Sequence, residues 1–123
     1  MQLWIATLVS TLVLGISAAG AHEADNGPHG GRVVEAGTYH AELVVKDSAV
    51  EVFVTDANGK SVSVAGFKGV AIFTIGGKAQ RIVLEPREGG SLAGTAATVL
   101  PAAPAGVVQL TAPGGKTMQG RFR

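Results

Sequence analysis

Through most of the chain, apolar and polar residues alternate, with glycine-rich breaks at short intervals. From Tyr39 to Lys46, the residues Tyr39, Ala41, Leu43 and Val45 fall on one side of an extended chain; His40, Glu42 and Lys46 fall on the other. That period of two is what a half-buried strand requires. Val50, Val52 and Val54 repeat it in Ala49–Thr55, and a short strand over Arg32–Ala36 precedes both, set off by Gly37-Thr38. Asp47-Ser48 turns the chain between the two longer strands. Asp56-Ala57-Asn58-Gly59 is a hairpin turn, because Asn-Gly accepts positive φ. Further strands are expected over Ser61–Val64, Gly69–Ile75, Ala79–Glu85 and Ser91–Leu100. A final hairpin is expected from Gly106–Thr111 and Lys116–Phe122, around Pro113-Gly114-Gly115. The pattern predicts an all-β domain, an antiparallel Ig-like β-sandwich of about seven to nine strands over residues 32–123.

Two stretches break the alternation. Leu3 to Ala19 is an uncharged apolar run, and the first charged side chain in the chain is Glu23. The run ends in small residues, as a secretory signal peptide does. Cleavage is expected before His22 or before Gly20, so residues 1–21 are assigned to the signal. The alternative is an uncleaved N-terminal anchor, although the run is short for a span of roughly 20 residues. Residues 22–31, His-Glu-Ala-Asp-Asn-Gly-Pro-His-Gly-Gly, have no apolar period and read as a flexible, histidine-containing lead-in. The product is expected to be exported, with no membrane attachment after cleavage.

Composition narrows the function. The chain has 123 residues, 10 Lys+Arg against 9 Asp+Glu, and no cysteine. One domain fits that length, and near-neutral charge argues against nucleic acid as a partner. Without cysteine there are no disulfides, thiolate metal sites or Cys nucleophile. No G-x-S-x-G elbow and no phosphate loop is present, so no enzymatic activity is expected. The charge is uneven. His22 to Asp56 holds seven acids and two bases, whereas Ala57 to Arg123 holds two acids and eight bases. All three histidines lie in the acidic half.

Histidine and carboxylate together suit divalent first-row metals. The lead-in offers His22, Glu23, Asp25 and His29, and Gly30-Gly31 lets the backbone approach closely. His40 and Glu42 leave the same face of a strand and can share a ligand. Continuing the hairpin register puts His29 roughly 15–20 Å from His40, at about 3.3 Å per residue. His22/His29 and His40/Glu42 therefore stand as separate candidates unless the lead-in folds back. Cleavage also creates a terminal amine beside or near His22, itself a chelator.

The stretch Gly27 to Val45, with its His29-Gly30-Gly31 and its Tyr39-x-x-Glu42-Leu43 pattern, resembles small exported proteins associated with heavy-metal resistance. It is also similar to the N-terminal region of periplasmic adaptor subunits of heavy-metal RND efflux systems. The resemblance implies a periplasmic β domain that handles zinc, cobalt, nickel or copper, and points to His29-Gly30-Gly31, Tyr39 and Glu42. The chain lacks the long helical hairpin and lipoyl-like segments of a full adaptor. The expected function is binding of Cu(II), Zn(II), Ni(II) or Co(II), for buffering or for delivery to an envelope efflux system, with His22, His29, His40 and Glu42 as ligands. The alternative is a metal-free module docking to an envelope protein through a sheet edge. A carrier needs residues 22–31, and a docking module does not.

Overall fold

The computed structural model describes residues 27–123 and, as backbone, the pair Glu23–Ala24. The expected signal peptide and its cleavage site, with His22 and Asp25, lie outside the described residues. The described residues are all β, without a helix. The strands are β1 (Glu23–Ala24), β2 (Arg32–Ala36), β3 (Tyr39–Lys46), β4 (Ala49–Thr55), β5 (Lys68–Ile75), β6 (Lys78–Arg87), β7 (Ser91–Thr95), β8 (Ala105–Thr111) and β9 (Thr117–Phe122).

Every strand pairing is antiparallel, in the order β1-β2-β3-β4-β7-β6-β5-β8-β9. The meander β5-β6-β7 is inserted in reverse between β4 and β8, so the β4–β5 and β7–β8 connections are long. The expected Ig-like sandwich gives way here to a barrel-like array. Two features cause this. β6 belongs to both halves: its first part pairs with β5 through Leu84, and Glu85–Arg87 pair with β7. The ends of the array also come together, because β2 packs against β9. Arg32 spans this junction, donating to the Arg123 carbonyl at 3.1 Å and the Pro104 carbonyl at 2.6 Å, with its guanidinium 5.2 Å from the Phe122 ring centroid.

Alternation builds the core as the sequence requires. Ala41 and Leu43 of β3, Val50, Val52 and Val54 of β4, and Phe73, Leu84, Leu92, Val108, Leu110 and Phe122 are all buried in it. The two long connections close the ends. Ala96 and Leu100 donate backbone hydrogen bonds to the Ser48 and Asp47 carbonyls of the β3–β4 turn. At the other end Phe67 packs edge-on against Tyr39, 5.7 Å between ring centroids.

Two expected strands differ. Ser61–Val64 is not a strand: Ser61 bridges to Thr55 and the Val62 N–H donates to the Val54 carbonyl at 3.1 Å, and the chain then crosses toward β5. Val64 is drawn into the core, so the segment leaves the edge of β4 after Val62. Ser91–Leu100 is a strand only to Thr95, because Ala96 to Leu100 turn to cap the β3–β4 turn.

Candidate metal centre

Glu42 lies on the outer face of β3, between core residues Ala41 and Leu43, yet it is only 4% exposed. The segment Gly27–Gly31 covers it. This part of the expected flexible lead-in is a closed strap, with the Gly27 N–H donating to the Gly31 carbonyl and the Gly30 N–H to the Gly27 carbonyl, each at 2.8 Å. Ahead of it, Glu23 pairs with Val34 and Ala24 with Val33, so the chain before the strap runs beside β2.

The strap closes around the carboxylate. Glu42 Oε2 accepts the backbone N–H groups of His29 and Gly31, both at 2.8 Å. Glu42 Oε1 lies 2.8 Å from His29 Nδ1. A carboxylate accepts hydrogen bonds and does not donate them when ionised, so His29 Nδ1 carries the proton. Burying a charge is costly unless it is well hydrogen-bonded, and three donors meet that requirement here. Local sequence makes the cradle possible. Gly30 has φ +77°, a conformation that residues with a Cβ rarely adopt. A Cβ on Gly27 would lie 2.5 Å from the Glu42 carboxyl carbon.

The His29 ring is also held from below. It stacks on Phe53 of β4, with 3.5 Å between centroids and 4° between planes. Phe53 is the direct cross-strand partner of Glu42. The hydrogen bond fixes the ring's rotation and the stack fixes its plane. Its Nε2 is left with a lone pair and no partner among the described residues, on a side chain 48% exposed.

The expected ligands are thus divided differently from the sequence pairing. The structure joins His29 to Glu42, since the strap folds back over β3 rather than continuing the hairpin. His29 therefore rests on a residue two positions from His40, and the expected separation of the two histidines along an extended hairpin does not apply. His40 and Glu42 share a face but not a ligand geometry: Glu42 is committed to the strap. His40 Nε2 instead lies 4.0 Å from Glu35 Oε1, across the β2–β3 pair. The lead-in side chains of His22, Glu23 and Asp25 are not among those described.

Among the described residues no group of three or more His, Cys, Asp or Glu side chains is placed to hold a metal ion. What they provide is one oriented imidazole. A histidine that donates one ring N–H to a carboxylate presents its other nitrogen as a fixed and more basic donor, the arrangement common around protein-bound metals. Phe53 was missed by sequence reasoning. Strict alternation carries the signal for it, because a two-residue turn at Asp47-Ser48 sets Phe53 opposite Glu42. Comparison of the chain with family models, with curated proteins and with solved structures finds no match.

Proposed function

We propose that the protein is exported to the periplasm and there binds a divalent transition metal, for buffering or for delivery to an envelope efflux system. The observation that supports this most is the His29 imidazole, with Nδ1 tied to the buried Glu42 and Nε2 without a partner among the described residues, on a half-exposed side chain. A single imidazole holds an ion weakly. The lead-in supplies the remaining donors in this reading: the His22 imidazole and, after cleavage, the new terminal amine. Imidazole, amine and carboxylate donors without thiolate favour Cu(II) over Zn(II), Ni(II) or Co(II), following the Irving–Williams order.

Glu42 acts on the ion only through His29, by fixing which nitrogen is available. Protons compete with metal for Nε2, so affinity falls as the medium is acidified. Calorimetric titration of the protein purified from the envelope with Cu(II), Zn(II) and Ni(II) tests the proposal. Binding that weakens by about tenfold or more in His29→Ala is expected. An absence of binding by the wild-type protein would overturn the reading and leave the docking module in its place. The intact mass of the same preparation tests export: a chain starting at His22 or Gly20 is expected, and retention of Met1 would contradict cleavage.

A further inference from the structure

The charge asymmetry of the sequence becomes a spatial one. The acidic half of the chain supplies β1 to β4, and the basic half supplies β5 to β9. The strand order keeps the two groups apart: β2, β3 and β4 are contiguous, and so are β6, β5, β8 and β9. With β2 packed on β9 and the two-residue β1 left aside, β3 lies four strand positions from β5 in either direction around the barrel. The outer faces of the two groups therefore look away from each other, on opposite sides of the molecule.

The basic side carries an apolar patch. In β5 the buried Ala71 and Phe73 face the core, so Val70 and Ile72 face outward. Val70 is paired with Val83 of β6, and Ile72 with Val107 of β8. Directly paired residues project from one face, so these four form one aliphatic block. Val83 is 55% exposed, and the other three are partly exposed. Arg81 and Arg121 stand at the two ends of the Ile72–Val107 row, and Lys68 precedes Val70 on the same face. All three cations are exposed, and none has an ion pair among the described residues. The opposite side has the matching sign. Glu35 on β2 is 70% exposed and Glu51 on β4 is 32% exposed, with the partly exposed Val33 and Val44 beside them. Asp47 and Asp56 stand in the turns at the two ends of β4.

We infer that the protein associates with itself head to tail, the basic outer face of β5, β6, β8 and β9 in one copy docking on the acidic outer face of β2, β3 and β4 in the next. The inference does not rest on the metal reading. An apolar centre rimmed by arginine is the composition of a protein interface. The patch has no aromatic residue and lies within a sheet rather than on a projecting loop, which favours a protein surface over a bilayer. Each copy keeps one face of either sign, so the contact is heterologous and growth is open-ended. Four strands at about 4.8 Å and six residues at about 3.3 Å give a footprint of roughly 400 Å². A stable interface takes about 800 Å² from each partner. The association is therefore weak and concentration-dependent, and salt screens it.

The test is sedimentation of the purified protein over a range of concentrations up to about 1 mM, with EDTA present so that no metal bridges the copies. At an ionic strength of about 0.01 M the weight-average mass is expected to rise with concentration, and at about 1 M to return to that of the monomer. The rise is expected to be about twofold when the protein concentration equals Kd. Arg81→Glu with Arg121→Glu reverses the basic face; Glu35→Lys with Glu51→Gln weakens the acidic one and keeps an acceptor for the Ser91 hydroxyl. Each double variant alone is expected to stay monomeric. A mixture of the two is expected to form one-to-one dimers and to stop there, because one intact face of each sign remains. Should either double variant fail to fold, Val83→Ser, at an already exposed position, is expected to weaken association several-fold. A wild-type protein monomeric throughout at low salt would overturn the inference, and so would association unchanged by Arg81→Glu with Arg121→Glu or by Val83→Ser. Closed wild-type dimers would replace it with a two-fold contact. A monomer that sediments with phosphatidylglycerol vesicles would assign the basic face to a lipid surface instead.

Discussion

A carboxylate at 4% exposure on the outer face of a strand is the least ordinary residue in the molecule. Glu42→Ala removes an acceptor from three donors and strands two backbone N–H groups under the strap. Hydrogen bonds to charged groups contribute about 1.5–3 kcal/mol each and are not additive, so a loss of about 3 kcal/mol is expected, read from the urea midpoint. Gly27→Ala should destabilise by about 1–3 kcal/mol through overpacking against the same carboxylate, and Pro28→Ala, where no such contact is at stake, should cost far less. The ring of His29 offers a direct spectroscopic check. Its neutral form should carry the proton on Nδ1, visible as a protonated Nδ1 and an unprotonated Nε2 in nitrogen-15 correlation spectra, and Glu42→Ala should abolish that preference. Alternation along β3 assigns Glu42 to the correct face, since Ala41 and Leu43 on either side are buried. Its burial was not legible there, because the cover comes from a segment whose residues have no period of their own.

The elements that were legible are those closed by local turns. Lys46 and Ala49 pair around Asp47-Ser48, and Tyr39 and Ala36 around Gly37-Thr38, so β2, β3 and β4 take the register their turns dictate. The Asp56–Gly59 turn forms as read: the Asp56 side chain accepts the Asn58 and Lys60 N–H groups at 2.8 and 3.0 Å, and Gly59 takes φ +80°. Gly59→Ala should therefore cost about 1–2 kcal/mol, the penalty of a left-handed conformation for a residue with a Cβ. No steric contribution is added, since nothing lies within 4 Å of the position a Cβ would occupy. Thermal unfolding measures it. The segment after that turn was not legible. Ser61–Val64 has the composition of a strand, but its partner would have been β4, whose free edge is taken by β7 from much later in the chain.

Strand number and all-β class were readable from periodicity, whereas the closing of the array was not, because nothing in a period of two tells which strands meet at its two ends. That closure depends on β2 and β9. Gly120 makes it possible, since a Cβ there would lie 2.7 Å from a Val34 methyl and 3.2 Å from the Glu35 carbonyl oxygen. Gly120→Val should open the junction, and a lower unfolding temperature with an expanded solution radius is the expected result. Arg32→Ala should weaken the same junction from its other end, where the guanidinium binds two carbonyls and covers Phe122. Among the described residues no hydrogen-bonded ladder joins β2 to β9, while every neighbouring pair in the strand order has one. A ring held by ladders all round and, at one place, by packing and the Arg32 side chain does not fluctuate evenly. The molecule should breathe at that seam, with the strands swinging apart there as a pair of doors does while the rest of the wall stays shut. In native-state hydrogen exchange, amides of β9 that face β2 should trade their protons long before those of β4 and β5.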